Sequence, residues 1–266
     1  MKIVVCIKQV PDTEAEIKWD IPKGTLKRDA MEATITNPFD EFAIEEALLT
    51  RENYDGDIVA ISMGPEKAND VLRNALALTV NEVYRLTDDA FAGSDTYATA
   101  YVLASAIKKI GDVDIVFTGK QSTDGNTGVV GAMLASILGF SQLTYVSKIR
   151  SIDAGAKKIV VERAIEGGIE VVEAKLPAVV SVIKGINEPR LPNLMGIRKA
   201  SKIPIPEWKA GDIGVDTSKV GSAGASTKVV EIAVPPPRGA GEILKGEIEE
   251  IANTLTDKLI EMKVIK

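Results

Sequence analysis

Histidine is absent from the 266 residues. That gap removes Ser-His-Asp and Cys-His nucleophilic chemistry, imidazole acid–base catalysis and histidine metal ligation together. Cysteine is nearly absent as well. Cys6 stands alone, so neither an internal disulfide nor a cysteine zinc site is available, and no metal site is expected. No apolar run reaches membrane-spanning length, and no Lys/Arg-rich block appears in a chain of net charge -6 and pI about 5.0. Neither membrane insertion nor nucleic acid is expected. Two nucleotide fingerprints also fail. Gly119-Lys120 is followed by Gln121 and has no glycine five residues before it, so it is no Walker A loop. Gly239-Ala240-Gly241 follows a proline run and precedes a helix with no strand after it. With so few reactive groups, no catalytic side chain is assigned, and the weight shifts to a protein that holds a cofactor and leaves the chemistry to it.

What is present describes a globular chain: 45% hydrophobic, 26% charged, mean hydropathy +0.08, enough for one large domain plus appendages. Met1-Lys2-Ile3-Val4-Val5 runs straight into a strand rather than a signal peptide, which reads as a cytoplasmic protein. Lys2 to Ile7 has the near-continuous apolar pattern of a central parallel strand, with Cys6 at its carboxyl end. Lys8 to Thr36 is polar and reads as a long loop or hairpin excursion. Asn37-Pro38-Phe39-Asp40-Glu41 is a helix start, with Asn37 as N-cap, Pro38 at the first helical position and acidic residues in the first turn. Strands over Ile58–Ser62, Glu82–Thr87 and Val113–Thr118 then alternate with helices, the last of these capped by Asp95. The alternation predicts an α/β fold with a doubly wound, mostly parallel sheet.

One stretch organises the rest. Ile115 to Ala132, IVFTGKQSTDGNTGVVGA, begins as a buried strand and passes through a small, polar loop into a helix expected from about Asn126. A strand feeding a helix in this way gathers main-chain N–H groups and the positive helix end at one spot, an anion site. Gly119, Gly125 and Gly128 permit close approach or positive φ, and Ser122, Thr123 and Thr127 add hydroxyls. An ordinary βα connection with a polar loop fits the local pattern equally well. Asp124 is expected to cap the helix or meet a ribose, and Lys120 to supply compensating positive charge.

After Ser141 the texture changes to short strands, a hairpin turning at Gly167-Gly168 among them. Asn187 to Gly196 carries two prolines with Leu191, Leu194 and Met195, which either tuck inward or dock on a protein. Residues 207–234 read as a linker arm, with Lys209–Ser226 rich in Gly, Ser and Asp and a short strand at Val229–Val234. Residues 235–266 hold a final helix, from Glu242 to about Val264, with Leu244, Ile248, Ile251, Leu255, Leu259 and Met262 on one stripe. Such a helix must fold back on the body or dock on another chain, and the reach of the linker favours docking.

Several segments together resemble the beta subunit of electron-transfer flavoprotein. They are Ile7-Lys8-Gln9-Val10, Asn37 to Glu41, Ser62-Met63-Gly64-Pro65, Gly119 to Gly128, Val161 to Gly168, Leu176 to Val180 and Asn187 to Met195. The likeness runs collinearly from residue 2 to about 206, making 1–206 the nucleotide-binding domain with the recognition loop at 187–196. The implied fold is that of the adenine nucleotide alpha hydrolases, with a C-terminal arm and helix reaching onto an alpha subunit. The implied function is a heterodimer carrying electrons from an acyl-CoA or other dehydrogenase to an acceptor. The family binds AMP in one branch and FAD in its electron-bifurcating branch, where NADH is the donor and ferredoxin a low-potential acceptor. Carried over residue by residue, the adenosine side would meet Cys6, Asn37, Pro38, Phe39, Asp40 and Met63. The phosphates would meet Gly119, Lys120, Gln121, Ser122, Thr123 and Asp124, then Gly125, Asn126, Thr127, Gly128, Val129 and Val130. Thr123-Asp124-Gly125-Asn126-Thr127 looks like the bifurcating branch, except that Asn126 puts an amide where that branch has a carboxylate. Leu191 would be the anchor into a partner, on a loop shorter here between Arg190 and Pro192 than is usual. The rival readings are an AMP-binding beta subunit and a homodimeric adenine-nucleotide sensor.

Overall fold

Strand β1 (Lys2–Cys6) runs through the middle of a nine-stranded sheet, as the unbroken run Ile3-Val4-Val5 requires, since both its faces are covered. The structure, a computed structural model, describes residues 1–12, 19–20, 25–26, 33–231, 233 and 241–265. After β1 come two small antiparallel ribbons, β2 (Gln9–Pro11) with β5 (Thr34–Thr36) and β3 (Trp19–Asp20) with β4 (Thr25–Leu26). The excursion expected over Lys8–Thr36 is thus partly paired, and its remainder lies outside the described residues. The chain continues through α1 (Pro38–Tyr54), β6 (Asp57–Met63), α2 (Asn69–Ala77), β7 (Glu82–Leu86), α3 (Thr96–Ile110) and β8 (Ile115–Gly119). Next are α4 (Val130–Leu138), β9 (Ser141–Asp153), β10 (Lys158–Ile165), β11 (Gly168–Lys175) and β12 (Ala178–Val182). The body closes with α5 (Leu194–Ala200), β13 (Glu207–Trp208) and α6 (Gly221–Gly224).

The sheet order is β11-β10-β9-β12-β8-β1-β6-β7-β13, parallel except where β10 pairs with β9 and β11. From β1 the chain winds one way to β6 and β7, then crosses back to β8 on the other side. The switch point between β1 and β8 is where such sheets open a crevice at their carboxyl ends. Alternation along β1 divides the core. Ile3 and Val5 pack with Ala43, Leu48 and Leu72 of α1 and α2. Val4 and Cys6 pack with Val102, Leu103 and Leu134 of α3 and α4. Each fully buried Leu or Ile contributes about 1.5 to 3 kcal/mol, so the sheet is held from both faces. The expected doubly wound α/β architecture is the one observed.

Four local differences have plain causes. Helix α4 begins at Val130 rather than Asn126, because Asn126 (φ +50) and Gly128 (φ +66) sit in the left-handed region, which no helix continues through. Leu194 and Met195 open α5 instead of lying on the proline loop, because Asn193 after Pro192 accepts a bond from the Gly196 N–H at 2.7 Å. The expected linker is, from Glu207 to Val220, part of the body: β13 joins the sheet edge, and Ala210, Ile213, Val215 and Val220 are buried. No strand forms at Val229-Val230, and the proline run lies outside the described residues.

The chain separates into two units, Met1–Val230 and Glu231–Lys266. Among its described residues the second holds helix α7 (Ile248–Glu261), shorter than the expected Glu242–Val264. On α7, Ile248, Leu255 and Ile260 are exposed, and Lys258 pairs with Glu242 at 2.6 Å.

Candidate functional site

The carboxyl ends of β1 and β8 meet the start of α1, and three backbones are joined there by one carboxylate. Asp40, in the first turn of α1, accepts the Lys8 N–H at 2.8 Å on one oxygen and the Gly119 N–H at 3.1 Å on the other. Burial pushes its carboxyl up to about 7, while the Asn37 side chain, these two N–H donors and the Lys8 charge pull the other way. Gly119 has to be glycine for this: a Cβ there would fall on Asp40 Oδ1 and on the Phe39 backbone. Asn37 occupies the N-cap position, but its side chain makes no cap bond. It crosses instead to the crossover loop, donating to Gln121 O at 2.8 Å and accepting from the Thr123 N–H at 3.2 Å. A short amide that satisfies one donor and one acceptor of a neighbouring loop pins that loop's course.

The loop itself is a compact turn. Asn126 N–H donates to Ser122 O at 2.9 Å, and Gln121 Nε2 donates to Asn126 Oδ1 at 3.0 Å. In α4 the first helical bond runs from Met133 N–H to Val129 O, so the N–H groups before it form the open positive end of the helix. Val129 is the N-cap of α4 and makes no side-chain cap bond, so Asp124 does not cap this helix. Asp124 is paired with Lys8, whose ammonium lies 2.6 Å from Oδ1 and 3.3 Å from Ser122 Oγ. Lys120, expected to bring positive charge, instead lies over the Tyr145 ring, 5.0 Å from its centroid.

Beneath α4, Thr118 Oγ1 is buried with no hydrogen-bond partner among the described residues, close under Gly131. Cys6 is buried at the end of β1, its thiol pushed up by burial and by Asp40, so it is a packing thiol and not a nucleophile. Met63 ends the adjacent strand β6, half-buried on the same sheet face as Cys6. The structure therefore gathers Asn37, Asp40 and Gly119 to Val130 around the switch point, with Cys6 and Met63 on the strand ends beside them. Amides, hydroxyls and a helix start with its one carboxylate neutralised form a donor set that suits a nucleotide's phosphates.

Leu191, Leu194 and Met195 are not part of this cluster. They are 89%, 84% and 83% exposed, Leu191 directly after a segment held to the flank of α1 and Leu194 and Met195 in the first turn of α5. Arg190 holds both oxygens of the buried Glu45 and also pairs with Glu52 at 2.6 Å, while Asn187 donates to Phe42 O and Glu46. Lys8 and Arg190 were missed as individual site residues; the motif Ile7-Lys8-Gln9-Val10 was the available signal for Lys8.

A family model described as an electron transfer flavoprotein domain matches residues 26–213. Similar proteins extend over the whole chain. An electron transfer flavoprotein subunit beta of Thermoanaerobacterium thermosaccharolyticum is 44% identical, covering 100% of both chains. The caffeyl-CoA reductase-Etf complex subunit CarD of Acetobacterium woodii is 40% identical over 100% of both. Protein FixA of Bradyrhizobium diazoefficiens is 41% identical over 97% of this chain and 91% of its own.

Proposed function

The chain belongs to the electron transfer flavoprotein family, and from that premise we propose that it is the beta subunit of an electron-bifurcating heterodimer. The observation that carries the reading is the crossover Gly119–Val130, which leads from the carboxyl end of β8 at the switch point to the open N-terminal end of α4, with Asp124 paired to Lys8. In this reading the diphosphate of FAD lies on that loop, and the adenosine side meets Cys6, Asn37 to Asp40 and Met63. Held there, a flavin would supply the redox chemistry of a bifurcating complex, with NADH as donor and a second flavin on the alpha subunit and ferredoxin or a similar carrier as acceptors. The chain's own residues bind, orient and electrostatically tune it; none transfers a proton. Leu191, Leu194 and Met195 dock an acyl-CoA or related dehydrogenase, a reading supported by the relative named for its complex with caffeyl-CoA reductase. The α7 stripe docks on the alpha subunit.

A second reading, AMP in place of FAD, is favoured by Asn126, an amide where the bifurcating branch has a carboxylate. Purification of the heterodimer followed by mass analysis of the released nucleotides separates the two. Two FAD per heterodimer are expected; one FAD plus one AMP sinks the bifurcating assignment and leaves the family untouched.

A further inference from the structure

Tyr145 stands in β9 with φ +58, a backbone state that a bulky side chain adopts only under constraint. The constraint comes from both sides. Arg163 Nε donates to Thr144 O at 2.7 Å, and its Nη2 donates to Thr144 Oγ1 at 3.0 Å. After Tyr145, the Ile183 N–H donates to Val146 O at 3.1 Å. Both ladders of β9 slip here, against β10 between Glu162 and Arg163 and against β12 between Val180 and Val182. A bulge of this kind re-aims a side chain, and Tyr145 is left 42% exposed. Its position is tied to the crossover. Val182 pairs with Gly119 on one side and with Val146 on the other, so Tyr145 stands level with the end of β8. The Lys120 N–H donates to Val182 O at 2.8 Å, and the Lys120 ammonium lies 5.0 Å from the Tyr145 ring centroid. The sheet order β9-β12-β8-β1-β6 sets Tyr145 on the opposite side of the crossover from Cys6 and Met63. A dinucleotide with its adenosine over β1 and β6 and its diphosphate at the end of β8 has β12 and β9 left for its second ring system.

We propose that Tyr145 receives the flavin ring of the bound dinucleotide by stacking, and so selects FAD over AMP. An aromatic face binds a flat heteroaromatic ring whatever the hydrogen-bonding pattern of its rim. A mononucleotide placed with its phosphate at β8 ends before it reaches β9. Lys120, fixed across β12 by its own N–H, holds the tyrosine ring from the crossover side. The inference rests on the crossover being the nucleotide site and deepens the FAD reading of it.

The test uses the full chain purified with its alpha subunit and dialysed to equilibrium against mixtures of AMP and FAD. The AMP and FAD retained per heterodimer are counted, and the AMP-to-FAD ratio that half-fills the site with AMP is the readout. Tyr145→Leu needs about tenfold less AMP than the wild type, the loss expected of one stacked ring. Tyr145→Phe keeps the ring and stays within about threefold of the wild type. A merely structural tyrosine would weaken both nucleotides alike and leave the ratio where it was. The same ratio in Tyr145→Leu and wild type overturns the assignment, as does AMP uptake by neither protein. A ratio in Tyr145→Phe as shifted as that in Tyr145→Leu also overturns it, since the hydroxyl would then be the contact. If Tyr145→Leu does not fold, Tyr145→Gly suits φ +58, removes the ring and is read by the same margins. A wild type that keeps AMP against every excess of FAD overturns the FAD reading and this inference, and leaves the crossover as a nucleotide site. A wild type with one FAD per heterodimer and no AMP overturns the nucleotide site itself.

Discussion

At the residue scale the most consequential group is Asp40, because one carboxylate holds the ends of β1 and β8 to α1. Its folded-state pKa of about 7 stands above the ordinary 3.8, with desolvation as the main cause. Between those values the folded state binds more protons than the unfolded chain. This group's contribution to stability therefore falls as pH rises, by up to about 1.4 kcal/mol per pH unit. Asp40→Asn lacks that dependence, at the cost of an acceptor for one of the two N–H groups. Thermal midpoints of both proteins from pH 4 to pH 8 give the difference directly. The wild type should lose ground to Asp40→Asn as pH rises towards 7 and run parallel above it; a difference flat in pH would refute this. Asp40 was legible in the sequence as a helix-start acid, and Asn37 as a cap. What neither could reveal is that Asn37 spends its amide on Gln121 and Thr123 instead, since an N-cap preference is local and the loop arrives from 84 residues away. Lys8 was hidden for the same reason: its partner Asp124 is 116 positions distant.

Among the elements, α1 has the widest reach. Its first turn grips the crossover, and its flank carries Glu45, Glu46 and Glu52, which hold residues 187–190. Arg190→Ala leaves the buried Glu45 carboxylate without this partner. Because Arg190 is itself substantially exposed, solvent screens the pair, and the expected loss is about 1 to 2 kcal/mol rather than the 3 to 5 of a fully buried one. Chemical denaturation measures it, and limited proteolysis near Leu191 should speed up in the variant. An unchanged midpoint and cleavage rate would show that the prolines alone hold the loop. The alternation of strands and helices through residue 140 was readable because each element carries its own period. The strap Glu207–Val220 was not. Its Gly, Ser and Asp content reads as linker, and its buried apolar residues, Ala210, Ile213, Val215 and Val220, are spaced irregularly. Trp208, stacked on Tyr84 with ring centroids 3.9 Å apart, and the Arg85–Glu207 pair complete an attachment with no periodicity to detect.

For the whole molecule, the buried residues of both core clusters, among the described residues, all lie at or before Val220. A chain ending at Val230 should therefore keep its unfolding midpoint within about 3 °C, a shift corresponding to roughly 1 kcal/mol in a domain of this size. It should also fail to co-purify with an alpha subunit if α7 is the docking element. Retained association would move the interface onto the body. No helix of the described residues is long and apolar enough to cross a membrane. Finally, the two margins of the sheet differ. At one, β13 is two residues long and covers only Arg85 and Leu86. At the other, β11 is an eight-residue edge strand, and the outward-turned backbone groups of its alternate residues meet no further strand among the described residues. Strand-by-strand addition thus has one long ledge to use. Two copies joined along that ledge would occlude it for both, so growth by this route stops at a pair and never propagates into a fibre.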